Sequence, residues 1–203
     1  MKHHQRSTSS PPGRGASGQL RIIGGQWRGR KLRFTEVDGL RPTGDRIRET
    51  LFNWLAPVIS GARCLDLFAG SGALGLEALS RGAASATMIE RHPKAVSVLQ
   101  DNCQLLGAEG AEVLLAEALS WLENARSAPS YDVVFLDPPF DTQLLQPCLT
   151  LLQRSGLLAP GAYVYTESDR SQPPPLAPQL AIVREKTAGQ VCYRLYRSFE
   201  NGE

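Results

Sequence analysis

The apolar run 133–136 (Val-Val-Phe-Leu) leads directly into Asp137, Pro138, Pro139 and Phe140, a tetrapeptide rich in hydrogen-bond acceptors. Proline fixes φ and has no N–H, so two in succession hold the Pro138 carbonyl outward as an acceptor. With the Asp137 carboxylate this makes two acceptors for one NH2 group, and Phe140 offers a face on which a flat base can stack. The amino nitrogen of a purine is a poor nucleophile because its lone pair is delocalised into the ring. Hydrogen bonds to both of its N–H groups favour a pyramidal nitrogen and aim the lone pair at an electrophile, and Asp137 is placed to take the released proton. Asp137, Pro138, Pro139 and Phe140 are therefore the candidate catalytic residues. A plain rigid turn would use the same residue types. The tetrapeptide is read as chemical because it closes the fourth of a series of strands, on the sheet edge where open α/β folds bind ligands.

A second motif lies on that edge. Residues 65–75 read Leu-Asp-Leu-Phe-Ala-Gly-Ser-Gly-Ala-Leu-Gly, following one strand and opening a helix. Glycines there let the backbone approach a ligand, and the helix start offers unpaired N–H groups. Gly70, Gly72 and Gly75 also satisfy the GxGxxG pattern of dinucleotide enzymes, with Glu90 placed as a ribose acid. Asp66 argues for another ligand: a carboxylate ahead of the glycines suits the cationic amino acid part of S-adenosylmethionine and would repel a pyrophosphate. Glu90 could accept both ribose hydroxyls and Glu117 the adenine amino group. The expected cofactor site is Asp66, Ala69, Gly70, Ser71 and Gly72, with Glu90 and its neighbour Arg91, and Glu117 and its neighbour Ala118. Glu117 could equally cap the helix at 118–125.

The elements that must hold these groups alternate. Strands are predicted at 63–68, 85–90, 111–116 and 131–137, with helices at 73–81, 93–106 and 118–125, the pattern of a parallel sheet covered on both faces. A helix at 144–152 follows, then a turn at 157–161 into a strand at 162–167. The last two strands, 180–186 and 191–199, are joined by a link too short for anything but an antiparallel hairpin. The expected fold is α/β and Rossmann-like, a mostly parallel seven-stranded sheet ending in an antiparallel hairpin. Ahead of it, residues 20–34 read as a β-hairpin turning near Gly29. Asp45 reads as the N-cap of a helix whose apolar face carries Ile47, Leu51, Trp54, Leu55, Val58 and Ile59, with Arg46, Arg48 and Glu49 elsewhere on its surface.

Charge divides the chain. Residues 1–48 hold eleven Lys and Arg against three Asp and Glu, a net +8, and residues 49–203 hold eleven against seventeen, a net −6. A basic arm on an acidic body suits a polyanionic partner. Residues 1–19 read as a solvated, disordered tail, 20–60 as a hairpin and helix extension that contacts RNA, and 61–203 as the catalytic domain. Arg21, Arg28, Arg30, Lys31 and Arg33 are candidates for phosphate contacts and Trp27 for stacking. Arg41, Thr43 and Arg46 are expected nearer the reacting base. No long apolar run and no signal-type segment is visible, so membrane insertion and secretion are not expected and the cytoplasm is. Cys64, Cys103, Cys148 and Cys192 are too far apart for a zinc or redox motif, and His3 and His4 lie in a Ser/Pro/Gly tail, so no metal is expected.

These motifs, in this order, resemble the bacterial small-subunit ribosomal RNA guanine-N2 methyltransferase family (RsmD). The resemblance covers roughly residues 20–198. It rests on Arg21-Ile-Ile-Gly-Gly25, Arg28-Gly-Arg30 with Leu32, Arg41-Pro-Thr43, Asp45-Arg46 and residues 48–55, the loop from Asp66 to Gly75 with residues 77–82, the tetrapeptide at 137–140, and Ala188-Gly-Gln190. It implies methyl transfer from S-adenosylmethionine to the N2 amine of one guanine in 16S ribosomal RNA, on an assembling particle with ribosomal proteins as partners; a monomer is expected, though the resemblance does not supply that. It adds Phe68 to the cofactor pocket. Glu117 stands where relatives commonly have Asp, and residues 1–19 match nothing in the family. Three other readings compete. A DNA adenine-N6 methyltransferase shares the tetrapeptide but usually carries a separate recognition domain. A nicotinamide-dependent oxidoreductase would leave Asp-Pro-Pro-Phe unexplained. A non-catalytic RNA-binding module would have no use for a complete set of catalytic positions.

Overall fold

The computed structural model describes residues 17–35, 44–125, 130–139, 143–172 and 175–199. From the first chain crossing onward, β-strands and helices alternate: β3 (Arg63–Asp66), α2 (Ala73–Ser80), β4 (Ser85–Glu90), α3 (Pro93–Leu106), β5 (Ala111–Leu115), α4 (Ala118–Asn124) and β6 (Tyr131–Leu136). They are followed by α5 (Leu145–Arg154), β7 (Leu158–Asp169), β8 (Leu180–Ala188) and β9 (Val191–Ser198). The seven strands form one sheet in the order β5-β4-β3-β6-β7-β9-β8, parallel up to β7 and antiparallel at β9 and β8. The order reverses direction at β3, so the carboxyl ends of β3 and β6 open onto a crevice, the usual ligand site of such sheets.

Strands buried on both faces read as unbroken apolar runs, which is why 131–136 has no polar alternation. Cys64, Val133 and Phe135 pack toward one face with Leu51 and Phe52, and Leu65, Val134 and Leu136 toward the other with Leu149 and Leu152. The cysteines are free, with Cys64, Cys148 and Cys192 buried, and burial pushes the Cys64 and Cys148 thiols up to about 12. Among the described residues, no helix is long and apolar enough to cross a membrane.

The amino-terminal hairpin is β1 (Ser17–Arg21) against β2 (Lys31–Thr35). Ser17 to Gln19, expected in a disordered tail, pair in β1 instead, and residues 1–16 lie outside the described residues. Its connection is also wider than expected. Ile22 N donates to Arg30 O at 3.0 Å and Gly29 N to Ile22 O at 2.9 Å, and Gly29 sits in the turn at φ +83°. Leu20, Ile22, Leu32 and Phe34 bury into the same core as α2 and β3, so packing runs without a break across residue 60.

Three further expectations are corrected. Gly44, not Asp45, is the N-cap of α1 (Asp45–Leu55), and Asp45 sits one position inside, where its charge faces the positive helix end. Arg48 is fully buried rather than on the outer surface, because Asp45, the Arg21 carbonyl and Glu77 surround its guanidinium. Strand β7 begins at Leu158, not 162. The pairing with β6 slips between Tyr131 and Val133, which absorbs Pro160 and Gly161 (φ +70°) as a bulge instead of a turn.

Candidate active site

The ends of β3, β4, β6 and β7 enclose a cavity of about 570 Å³. Asp66 ends β3, the central strand of the parallel run, and is only 2% exposed. Its Oδ1 accepts the Phe68 N–H at 3.3 Å and its Oδ2 the Gly75 N–H at 3.2 Å. Burial pushes its carboxyl up to about 7, against the lowering effect of those two N–H groups, and the charges of Asp137 and Glu90 push the same way as burial. An interior carboxylate near neutrality is one that a cation would ionise.

The turn between β3 and α2 is held by its own geometry. Gly70 (φ +51°) and Gly72 (φ +78°) take left-handed conformations, and Gly72 N closes onto Ala69 O at 2.7 Å. Phe68, Ala69, Gly70 and Ser71 line the cavity beside Asp66. Gly72 does not line it. A Cβ there would stand 2.4 Å from Leu99 Cδ1, so this glycine serves the turn and its packing against α3.

Glu90, 5% exposed at the end of β4, lines the cavity but is already engaged: Oε2 accepts Gly70 N–H at 2.9 Å and Oε1 accepts His92 N–H at 2.7 Å. It ties the glycine turn to the next strand, and a ribose diol would share its remaining lone pairs. Glu117, Ala118 and Arg91 also border the cavity. Glu117 occupies the N-cap position of α4, yet its side chain makes no capping bond and pairs loosely with Arg91 at 3.7 Å. The capping reading is thus met in position and not in chemistry.

Across the crevice, Asp137, Pro138 and Pro139 line the same cavity. Asp137 is half-buried and Pro138 buried. The Asp137 charge is felt both at Asp66 and at the buried hydroxyl of Tyr165, which desolvation raises well above its ordinary range. Phe140 lies outside the described residues. Several lining residues are not among the site residues expected from the sequence: Phe34 from β2, Ile47 from α1, Glu167 from β7, and Ala188, Gln190 and Val191 around the terminal hairpin. The Ala188-Gly-Gln190 stretch is legible as a hairpin, but only the fold shows that it walls the pocket.

The basic candidates separate. Arg21, Arg28, Arg30, Lys31, Arg33 and Arg46 are exposed, with Arg21 meeting Asp45 at 3.4 Å, while Arg41 and Thr43 lie outside the described residues. Trp27 is half-buried against the core, and its N–H donates to Ser80 Oγ at 3.0 Å. Ser80 ends α2 whereas Gly72 begins it, so the hairpin tip sits about 12 Å along the helix from the cofactor turn. Trp27 and Arg28 do not line the cavity, whereas Phe34, at the other end of the hairpin, does.

A glycine turn after the central strand, acids at successive strand ends, Asp-Pro-Pro across the crevice and an antiparallel terminal hairpin define a Rossmann-like methyltransferase. The profile of the family described as "Conserved hypothetical protein 95" matches residues 20–197. The ribosomal RNA small subunit methyltransferase D of Escherichia coli K12 is 52% identical over 193 residues, 95% of this chain and 96% of its own. That of Haemophilus influenzae is 46% identical over 185 residues, 90% of this chain and 96% of its own. Among solved structures, a putative methyltransferase, yhhF, from Escherichia coli aligns with a TM-score of 0.81 and 53% identity, over 91% of this chain and 100% of its own. The chain belongs to the ribosomal RNA small subunit methyltransferase D family, and the nicotinamide oxidoreductase reading is set aside.

Proposed function

We propose that this protein transfers a methyl group from S-adenosylmethionine to the N2 amine of a guanine in 16S ribosomal RNA. The observation that carries the reading is that the Asp66–Gly70 side and the Asp137–Pro139 side face one cavity. The residues present fit the methyl donor. A buried carboxylate at Asp66 complements an α-ammonium group, Glu90 offers lone pairs to a ribose, and Glu117 borders the place expected for the adenine. When bound, S-adenosylmethionine supplies an electrophilic methyl on a sulfonium.

The chain's own groups do the rest. Asp137 and the Pro138 carbonyl accept the two N–H bonds of the amine, which directs its lone pair away from the ring. Asp137 then holds the proton that nitrogen loses. Phe140 is the stacking partner in this reading. No covalent intermediate is needed, since positioning and charge complementarity account for rates of this kind. Residues 20–60 act as a built-in RNA-contact extension, with the exposed arginines of the hairpin on phosphates. The substrate is an assembling small subunit in the cytoplasm, with ribosomal proteins beside it, and the enzyme works as a monomer.

The test is incubation with labelled S-adenosylmethionine and separate pools of 16S RNA, small-subunit particles, transfer RNA and DNA, followed by nucleoside analysis. Label in N2-methylguanosine from the small subunit is the expected result. Label in N6-methyladenine from DNA would overturn it.

A further inference from the structure

Glu167 is a buried acid that the mechanism above does not use. It lies on β7, one residue past the register pair Leu136–Thr166, and so stands next to Asp137 at the carboxyl ends of neighbouring parallel strands. Such strands run about 4.8 Å apart. The two acids share a face, because Phe135 and Tyr165, two residues earlier on each strand, meet edge-on at 6.5 Å and side chains alternate along a strand. Glu167 is 3% exposed and lines the same cavity. Its Oε1 accepts the hydroxyl of Tyr165 at 2.8 Å. Tyr165 is itself fully buried, and Tyr193, opposite Glu167 in the pairing with β9, is stacked on Trp54 at 5.4 Å, so the surroundings of the carboxylate are stiff.

A carboxylate has several lone-pair sites, so a buried one that lines a ligand cavity can accept a donor from an occupant as well as the Tyr165 hydroxyl. On the proposed function, the donor is next to the reacting amine. The Watson–Crick edge of guanine carries N1–H directly beside the N2 amine, whereas adenine carries a lone pair at N1. We propose that Glu167 selects guanine by accepting its N1–H while Asp137, on the adjacent strand, holds the N2 amine. Two parallel carboxylates on neighbouring strands match two adjacent donors, and they confront the N1 lone pair of adenine with negative charge. Flipped bases are read in this way, by hydrogen bonds along that edge.

The inference rests on the proposed function, and 2,6-diaminopurine separates the two, since it keeps the N2 amine but has no N1–H. Small subunits reconstituted with 16S RNA carrying either guanine or diaminopurine at the modified position would be methylated under single-turnover conditions by the wild type and by Glu167→Gln. Wild-type enzyme is expected to prefer guanine by about a hundredfold or more, in line with sites built around one buried hydrogen bond. Glu167→Gln can present its NH2 to a bare N1, and should bring that preference to within about tenfold, mainly by losing rate on guanine. No transfer to guanine particles by the wild type would sink the function itself. Transfer to guanine with equal transfer to diaminopurine would sink only the role of Glu167, and needs no variant. An unchanged preference in a Glu167→Gln protein that still melts cooperatively and binds S-adenosylmethionine would show that Glu167 serves Tyr165 alone.

Discussion

Arg48 and Glu77 face each other at 3.6 Å with both side chains fully buried. Glu77 is the hub: its Oε2 accepts Ile23 N–H and its Oε1 accepts Gly24 N–H, both at 2.8 Å, and Arg81 donates to Oε1 at 2.8 Å. One carboxylate on α2 thus fixes the hairpin that carries the exposed arginines. Without the Glu77 charge, buried Arg48 would keep only the exposed Asp45 as a charged partner, and the Ile23 and Gly24 N–H groups and Arg81 would lose a carboxylate acceptor. Glu77→Gln should cost about 3–5 kcal/mol in urea unfolding. It should also raise hydrogen exchange at Ile23 and Gly24. A loss under about 1 kcal/mol would mean the hairpin is held by its apolar packing alone.

The hub also marks the boundary between what is local in the chain and what only the fold brings together. Asp66, the glycine turn and Asp137 are legible in the sequence because each is a local motif at a strand end, where the chain itself dictates geometry. Arg48 is not. Helical periodicity puts it among the polar positions; Asp45 on the same helix supplies one partner, but Glu77 and the Arg21 carbonyl, which complete its burial, come from other elements. Glu167 escapes notice because its neighbour Asp137 meets it only through the sheet. The place of Trp27 is likewise set by another element, since its backbone N–H bonds to Ser80 at the far end of α2. The start of β7 is displaced because Pro160 and Gly161 signal a turn, and a bulge satisfies the same backbone demands.

Binding of the methyl donor should depend on pH through Asp66. In the free protein burial raises its carboxyl to about 7, so the group is largely protonated below neutrality. A folded value above the unfolded one means Asp66 contributes stability that is complete below about pH 4 and is lost as pH rises through about 7. A cationic ligand prefers the ionised form. Affinity for S-adenosylmethionine should therefore rise from about pH 5.5 to about 8 with proton release, seen by calorimetry in buffers of different ionisation enthalpy. Asp66→Asn should flatten this rise; a wild-type affinity already flat across that range would contradict the assignment of Asp66 to the ammonium group.

The exposed basic residues of the hairpin offer a salt-dependent signature. Replacing Arg28, Arg30 and Lys31 with Gln should weaken RNA binding and lower the slope of log affinity against log salt by about 0.7–0.9 for each phosphate that is no longer neutralised. Affinity for S-adenosylmethionine should not move, since these side chains are outside the cavity. An unaltered slope would remove the hairpin from the RNA interface.

The grip of Asp137 on the acceptor amine is best read from Asp137→Ala under single-turnover conditions, with N2-methylguanosine in small-subunit RNA as the readout and S-adenosylmethionine affinity measured alongside. Affinity for the donor should stay within about threefold while the transfer rate falls by about a hundredfold or more, the scale of losing a group that acts only as the bond forms. Transfer at the wild-type rate would mean that the amine is positioned by something other than this carboxylate.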